Sequence, residues 1–423
     1  MYPLIVIGVS LILLVILLRL KVRMGRSMLA AALTAAVLLK VTPGMFASAL
    51  AEEWQDVAFG QAGWYDRLGK TTPWLVITLS SLLIFVNVLG KIMQEVGLSD
   101  RIAPAMSRLF RSRRLALSAI PMLMGLLPTP GGIMLSAPLI KAPGEQMGVS
   151  APRLAAINFF FRHVWESVWP LFPAVPLIQG LVGVSAWQIF RFNIVILVVS
   201  VISGVIFMLL PSLPGARDKT LQKSTYRESI KTFLQALWPI ILTAILWVTL
   251  GLPPVVGILI SIFILFFIYH VPSSRAKEIF RTTCNIDHFL LVLGALMFRL
   301  NLNAASAVVE ITDFLRTIHM PELVIIFILP CLVGFLTGLS MPAVATTVPL
   351  LLVFIGTGAE AKLELQRLAY AGVICGWLIS PIHLCYAMSM SYFNASYGRI
   401  FAYVIGPTLC IAGTAFYLAW RAV

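Results

Sequence analysis

An arginine, a histidine and a glutamate stand together in an otherwise apolar stretch, NFFFRHVWESVWPLFP at 158–173. Ionisable side chains inside an apolar segment are costly and normally face a cavity or a partner. An arginine can hold an anion, while a histidine or a glutamate can take up and release a proton. We therefore predict that Arg162 binds an anionic solute and that His163 or Glu166 carries a coupling proton. The alternative is an ion pair between Arg162 and Glu166, four residues apart on one helix.

Two further apolar segments are interrupted by residues that break helices, LLPTPGG at 126–132 and GLSMPAVATTVPL at 338–350. A hydrocarbon core offers no water to freed backbone groups, so such breaks indicate backbone that faces a substrate; the alternative is two kinks whose hydroxyl groups bond back to their own helices. Glycines let backbone amides approach a ligand, and a following half-helix presents its positive N-terminus to an anion. The predicted substrate-binding residues of the two tips are Thr129, Pro130, Gly131 and Gly132, and Ser340, Met341, Thr346 and Thr347.

Five polar residues complete the predicted site. Asn158 precedes Arg162 in the first broken span, and a second broken span carries Ser380, in register with Glu166, and His383. We assign these three to substrate binding. Two further residues, at corresponding places in two other spans, are assigned to ion coupling together with His163 and Glu166; they are Asn87 and Arg299. For Arg299, anion binding and snorkelling to the outer surface remain equal alternatives.

The elements that must position these residues are membrane-spanning helices. The chain is 60% hydrophobic and 11% charged, its mean hydropathy is +0.96, and apolar runs of about 20 residues recur along it, each long enough to span a bilayer. The first run has no cationic region before it and no cleavage site after it, so it is expected to be a retained span. The 5 cysteines show no CxxC spacing, which argues against a disulfide framework or a zinc site.

The basic residues predict how the chain is oriented. We count ten full spans, with the two interrupted segments entering and leaving the membrane on the same side. The loops on one side then hold 21 of the 31 basic residues and the opposite loops hold 7. By the positive-inside rule the first set is cytoplasmic and both termini lie outside a prokaryotic cytoplasmic membrane. The net charge of +14 is mostly this topology signal and requires no nucleic acid.

An internal repeat organises the chain. PMLMG at 121–125 matches PCLVG at 330–334, SAPLI at 136–140 matches TVPLL at 347–351, and RLA recurs at 153 and 367. An odd number of crossings per half inverts the second repeat, which is the construction of many secondary transporters. The predicted fold is an all-α polytopic membrane protein with two re-entrant hairpins. Its parts are a first repeat at 1–212 (hairpin about 115–140, broken span about 153–178), a basic linker at 213–232 and a second repeat at 233–423 (hairpin about 322–356, broken span about 366–388).

With these motifs the chain resembles the ion transporter superfamily, which includes carboxylate, gluconate and arsenite carriers, and within it the branch called domain-of-unknown-function family 401. LLPTPGG, NFFFRHVWESVWPLFP and GLSMPAVATTVPL carry the resemblance, and the pattern covers nearly the whole chain. The resemblance implies a homodimer in which a transport domain holding both hairpins slides through a scaffold domain, the elevator mechanism. The Ser-Asn-Thr tip motifs of the carboxylate carriers are absent from this sequence, so their ligand residues are not carried over.

The expected function is ion-coupled transport of a small anion, such as an organic carboxylate, bound between the hairpin tips. The coupling ion is H⁺ or Na⁺, and no cofactor is expected. The alternative within transport is a cation/proton antiporter in which Glu166 carries the ions. A channel could use the same repeat. An intramembrane hydrolase finds little support, since the sequence has no HExxH, no GxSxG and no Walker loop.

Overall fold

The computed structural model describes residues 2–20, 22–59, 71–98, 112–126, 132–210, 226–307, 310, 317 and 321–422, and most of these residues lie in helices joined by turns and short loops. The first half contains α1 (Tyr2–Arg19), α2 (Met24–Leu38), α3 (Pro43–Phe59), α4 (Thr72–Glu95), α5 (Arg113–Met124), α6 (Gly132–Gln146), α7 (Ala151–Arg162), α8 (Ala174–Val182) and α9 (Ala186–Met208). The second half contains α10 (Tyr226–Leu250), α11 (Pro254–Tyr269), α12 (Ser273–Thr283), α13 (Ile286–Ala304), α14 (Glu322–Thr337), α15 (Ser340–Ile355), α16 (Leu363–Leu378), α17 (Leu384–Phe393) and α18 (Tyr397–Trp420).

Four of the described helices, α4, α9, α13 and α18, are long and apolar enough to cross a membrane by themselves. The pair α2 and α3 passes the same test as one unit but bends by 111°. Several other helices are apolar but shorter, so the count of ten full spans stays a prediction. Large apolar side chains such as Phe263 and Phe267 on α11 are 72% and 77% exposed, as expected of helices that face lipid.

Two pairs of helices lie in the segments where the sequence predicts hairpins, α5 with α6 and α14 with α15, and the members of each pair contact each other. Their re-entrant course in a membrane stays a prediction. Glycines and prolines explain the second break: Gly338 has a φ of 65°, a left-handed conformation that suits glycine. The tip of the first hairpin, with Thr129, Pro130 and Gly131, lies outside the described residues, and α6 begins at Gly132. Two helices were not predicted, α3 and α12. The linker at 213–232 stays a prediction, and α10 begins within it at Tyr226.

The helix order of the first half recurs in the second half. The matched segments PMLMG and PCLVG lie in α5 and α14, SAPLI and TVPLL in α6 and α15, and the two RLA segments in α7 and α16. Helices of the two halves also pack on each other in a symmetric way: α8 contacts α15, and α17 contacts α6. Each hairpin is therefore packed against the broken span of the opposite half.

Small residues allow the hairpin arms to pack closely on the broken spans. A Cβ atom on Gly125 in the first half would lie 2.0 Å from the carbonyl oxygen of Arg162. On Gly334, its counterpart in the PCLVG segment, a Cβ would lie 2.6 Å from the carbonyl oxygen of Val373. Such close backbone approach is typical of helix pairs in membranes. The hydrophobic effect does not drive helices together there, and small residues allow the close van der Waals packing that does.

Candidate functional site

Each broken span consists of two helices, and the first of them ends beside a hairpin. In the first half α7 ends at Arg162, since His163 N donates to the carbonyl of Phe160 at 3.0 Å and a short 3-10 turn follows at Val164–Ser167. Pro170 and Pro173, downstream in the same break, remove further backbone donors before α8 begins. The alternative of an i, i+4 ion pair between Arg162 and Glu166 assumed one continuous helix, and the α-helix does not continue between them.

Side chains from this break cap the first hairpin arm. A helix leaves its last carbonyl groups without intrahelical donors, and in an apolar setting they need partners. Three side chains donate to three carbonyls at the end of α5: Trp165 Nε1 to Met122 (2.8 Å), Arg162 Nη1 to Met124 (2.8 Å) and Trp169 Nε1 to Leu126 (3.1 Å). The break in α7 thus supplies the hydrogen bonds that the end of the hairpin arm lacks.

The second half repeats this arrangement with different residues. After α16 ends, Ser380 Oγ donates to the carbonyl of Phe335 at 2.6 Å, and His383 Nδ1 lies 2.6 Å from the carbonyl oxygen of Gly338 in the turn between α14 and α15. Ser380 and His383 were both predicted as substrate ligands. The structure shows them holding the end and turn of the second hairpin.

The two halves meet at Glu166. Its Oε1 accepts a hydrogen bond from Ser340 Oγ at 2.5 Å, and Ser340 is the first residue of α15. The carboxylate therefore lies at the positive N-terminus of a hairpin helix, where an anion is stabilised. The Oε2 atom accepts no hydrogen bond from the described residues, while Tyr370 OH donates to the backbone carbonyl of Glu166 at 2.7 Å.

The two histidines of the breaks face each other, with His163 Nε2 and His383 Nε2 3.3 Å apart. His163 Nδ1 lies 2.7 Å from the carbonyl oxygen of Phe159, which the end of α7 leaves free. The ring of Phe159 contacts His163 in a tilted arrangement and His383 edge-on, with centroids 5.0 and 5.4 Å away, and the Trp377 ring lies 5.1 Å from each imidazole. The pair is therefore held rigidly in an apolar, aromatic wall.

The Sγ atom of Cys385 lies within 4.8 Å of the ring nitrogens of His163 and His383. A thiolate and two imidazoles are ligand types that a zinc ion accepts. Here, however, Arg162 interacts electrostatically with the side chain of Cys385, and a guanidinium beside the sulfur repels a second cation. The donor set does not fit a metal ion, and we assign none.

The ionisable side chains of this group are almost closed to solvent. Arg162 is 5% exposed, Glu166 6%, His163 8% and His383 6%. Charges buried to this extent are stable only with partners or with a ligand of opposite charge. We call these four residues, together with Ser340, the buried polar cluster.

Other predicted residues lie elsewhere or are engaged within the fold. Asn158 holds the start of α6, since it accepts from Ser136 Oγ at 2.6 Å and donates to the carbonyl of Ile133 at 3.1 Å. The hydroxyls of Thr346 and Thr347 donate to carbonyls in their own helix, as expected from the alternative in which the hairpins are helix kinks with back-bonded hydroxyls. Met341 is buried in the first turn of α15, next to Ser340.

The two ion-coupling residues predicted outside the broken spans have separate partners. Asn87 donates to the carbonyl of Leu83 in its own helix at 2.8 Å. Arg299 neither snorkels freely nor joins the cluster: its Nη2 lies 2.6 Å from Glu53 Oε1. Glu53 also accepts from the backbone N and the hydroxyl of Thr72. This network joins α3, α4 and α13, which is a structural role.

Sequence reasoning missed several residues that build the site: Trp165, Trp169, Tyr370 and Cys385. Their partners are backbone carbonyls or residues distant in the chain, which a pattern of residue types does not reveal. Only Cys385 had a signal, because it stands two residues after His383 in the second broken span.

A cavity of about 470 Å³ lies between α4, α8 and α10–α11. Its polar lining includes Thr78, Gln179 and Gln188, and Trp247 Nε1 donates to Gln179 Oε1 at 2.8 Å. The buried polar cluster does not line this cavity. Because α8 forms one wall, the cavity borders the continuation of the broken span that carries Arg162 and Glu166.

Comparison with known proteins agrees with the fold. A family profile described as "Protein of unknown function (DUF401)" matches residues 67–422. Among solved structures, the chain is similar to the YdaH transporter of Alcanivorax borkumensis, with a TM-score of 0.58 and 14% sequence identity over 91% of this chain and 97% of that one. At this identity the likeness concerns the fold. Among curated proteins, none matches the chain significantly.

Proposed function

The chain belongs to the DUF401 family, and on that premise we propose that it is an ion-coupled secondary transporter that moves a small organic anion across a prokaryotic cytoplasmic membrane. One observation carries the proposal: a buried arginine, a carboxylate and two histidines meet where two interrupted helices cross two hairpins. Interrupted helices with charged residues at their breaks are how secondary transporters form solute sites. The fold of the YdaH transporter supports the same class.

Contacts between distant parts of the chain support the proposed topology. Helix ends assigned to the cytoplasm contact one another: Glu95 with Arg275, Gly25 with Asp287, and Lys141 with the ring of Tyr392. The cavity of about 470 Å³ is lined by Trp74 and by residues 183–186, 253–255 and 358–359, all of which the proposed topology assigns to the outer side. If either hairpin crossed the membrane fully, some of these partners would lie on opposite sides. Both termini are then outside.

Two features of the buried polar cluster would bind an anion. Arg162 is a buried guanidinium with a planar fork of donors suited to a carboxylate. The N-terminus of α15 offers a positive helix end, and Glu166 already places a carboxylate there through Ser340. A solute carboxylate would replace Glu166 beside Ser340 while Arg162 holds its charge. Glu166, or the histidines beside it, would then take up the coupling ion, H⁺ or Na⁺.

The helices form two packing groups that suit an elevator-type movement. One group joins α1–α4 with α10–α13, and the other joins α5–α9 with α14–α18 and contains both hairpins. The groups touch through four helix pairs, which are α1 with α14, α4 with α8, α9 with α10 and α13 with α15. We propose that the second group moves against the first and that two copies of the first group form a homodimer, as the family resemblance implies. Lipid would surround the exposed apolar faces.

A cation/proton antiporter is the second candidate, and one observation favours it. Glu166 Oε2 accepts no hydrogen bond from the described residues, so it could ligate a cation directly. In that case no organic solute moves, and Arg162 serves only to cap α5. We expect neither nucleic acid nor an enzymatic reaction.

A thermal-shift screen of the purified protein separates these candidates. Organic and inorganic anions would be tested with and without sodium, at acidic and near-neutral pH. A bound solute stabilises the folded protein by mass action, by about 2.7 kcal/mol at a hundredfold excess over its Kd. We expect at least one carboxylate to raise the melting midpoint in a concentration-dependent way. Stabilisation by sodium or pH alone, with every anion silent, would favour the antiporter.

A further inference from the structure

The two histidines of the cluster take part in three short contacts that form one chain. His163 Nδ1 lies 2.7 Å from the carbonyl oxygen of Phe159, His163 Nε2 lies 3.3 Å from His383 Nε2, and His383 Nδ1 lies 2.6 Å from the carbonyl oxygen of Gly338. Each contact is a hydrogen bond only if one hydrogen stands between its two atoms, because carbonyl oxygens and unprotonated ring nitrogens can only accept. The chain of contacts therefore requires three protons.

Two neutral imidazoles supply only two ring protons. If both Nδ1 atoms donate to their carbonyls, two nitrogen lone pairs face each other. If one ring donates through Nε2 instead, its Nδ1 lone pair faces a carbonyl oxygen. A single additional proton satisfies all three contacts. We propose that His163 and His383 together form one binding site for one proton, and that this proton is the coupling ion. The second part of this statement rests on the proposed function.

The surroundings link this proton to a bound anion. Titratable groups surround the pair on several elements. Arg162 on α7 and Cys385 on α17 lie beside the histidines. Glu166 in the 3-10 turn is joined to Tyr370 on α16, and the ring of Tyr386 on α17 contacts Phe159, which itself contacts both histidines. Among the ionic forms, Arg162 is positive and an ionised Glu166 offsets it. A proton on the histidine pair leaves the cluster with one excess positive charge, which a solute anion neutralises. By thermodynamic reciprocity, proton and anion then strengthen the binding of each other.

The same proton would control the second hairpin. Phe159 belongs to α7, whose carbonyls are fixed by the helix, whereas Gly338 lies in the left-handed turn at the hairpin tip. When the proton leaves, both Nδ1 atoms stay protonated and the contact between the two Nε2 atoms loses its hydrogen, so two lone pairs face each other across 3.3 Å. Their repulsion would push His383, and with it the turn at Gly338 that its Nδ1 contacts, away from α7. Proton occupancy would thereby determine how closely the turn between α14 and α15 is held to α7.

The test is a pH titration of the full chain, labelled with ¹⁵N-histidine and purified in detergent. The chain has 5 histidines, so the variants His163→Asn and His383→Asn assign both rings. We expect both Nδ1 atoms to be protonated throughout and the two Nε2 atoms to take up one proton between them. An asparagine amide can still donate to the carbonyl that Nδ1 contacts, but it lacks Nε2. Each variant should therefore lose the shared proton while the remaining ring keeps its Nδ1 proton, and the matched control His288→Asn should change neither.

Two results would overturn the inference: independent uptake of one proton by each ring, or an unchanged shared signal in His383→Asn. A Zn²⁺ titration decides the remaining case, since tight binding of one zinc ion per chain through both rings would assign the pair to a metal. The titration of wild-type protein needs no solute. The proton site can thus be established even if the anion screen fails, and an anion can bind even if the histidines titrate independently.

Discussion

Replacing Arg162 with methionine is expected to weaken binding of the anion found by thermal shift by at least about 30-fold. The guanidinium is the buried cation of the cluster and is 5% exposed. Loss of one partner from a buried, hydrogen-bonded charge pair costs about 2–5 kcal/mol, and each 1.4 kcal/mol is a tenfold change in Kd. Isothermal titration of wild-type and variant protein measures the difference.

Arg153→Met is the matched control. Arg153 belongs to the same helix, is 7% exposed and donates through Nε to the carbonyl of Met208 at 2.8 Å. Both variants thus remove a buried arginine that donates to a backbone carbonyl, but only Arg162 interacts with Glu166 and Cys385 and caps a hairpin helix. Equal affinities in Arg162→Met and Arg153→Met would show that Arg162 does not bind the anion.

Replacing Gly125 with alanine is expected to destabilise the protein by about 1–3 kcal/mol or more, the usual cost of overpacking. The added Cβ would lie 2.0 Å from the carbonyl oxygen of Arg162 and 2.9 Å from its carbonyl carbon. Both are backbone atoms, so α5 and α7 must move apart. Since Arg162 Nη1 caps α5 at Met124, the shift would also displace the cluster. The measurement is the unfolding midpoint in detergent, with anion affinity as a second reading.

The control for Gly125→Ala is Gly413→Ala. Gly413 lies inside α18, and a Cβ there would meet no atom within 4 Å. Alanine is the better helix former, so Gly413→Ala should be neutral or slightly stabilising. Gly334→Ala, at the corresponding crossing in the second half, should destabilise as well. A midpoint for Gly125→Ala equal to that of Gly413→Ala would disprove the close crossing of α5 and α7.

Much of the architecture follows from local sequence. Apolar runs of bilayer length indicate spans, and proline or glycine inside such runs marks the breaks, which is why separate helices lie on the two sides of each predicted hairpin tip. The helices α3 and α12 escaped prediction for a related reason. Both are short or polar, so neither has the hydropathy of a span. The charge distribution predicted sides that agree with the contact between Glu95 and Arg275.

The site was predictable in its members more than in its contacts. Arg162, His163 and Glu166 were singled out because ionisable residues are rare in apolar segments. His383 was singled out because it lies close to Ser380, which the repeat aligns with Glu166. The partner of Glu166, however, is Ser340, 174 residues away, and that contact depends on the packing of one half against the other. The alternative pairing of Arg162 with Glu166 assumed a continuous helix, whereas after the break Arg162 contacts the carbonyl of Met124 and Glu166 contacts Ser340.

Arg299 illustrates the same limit. Its environment depends on Glu53 in the unpredicted helix α3, and the pair has side-chain exposures of only 12% and 15%. Without α3, anion binding and snorkelling were the only alternatives in view. Long-range partners of buried charges are set by tertiary packing, which a single sequence does not encode in any local pattern.

The most direct test of coupled anion transport is a measurement of proton movement in proteoliposomes that contain a pH-sensitive dye. An inward gradient of the anion identified by thermal shift should acidify the lumen of vesicles with wild-type protein, because anion and proton enter together. The signal should vanish in Arg162→Met and persist in Arg153→Met. The contradicting result is proton movement that a sodium gradient drives in the absence of any organic solute and that Arg162→Met leaves unchanged. That result would exclude anion transport and establish the cation/proton antiporter.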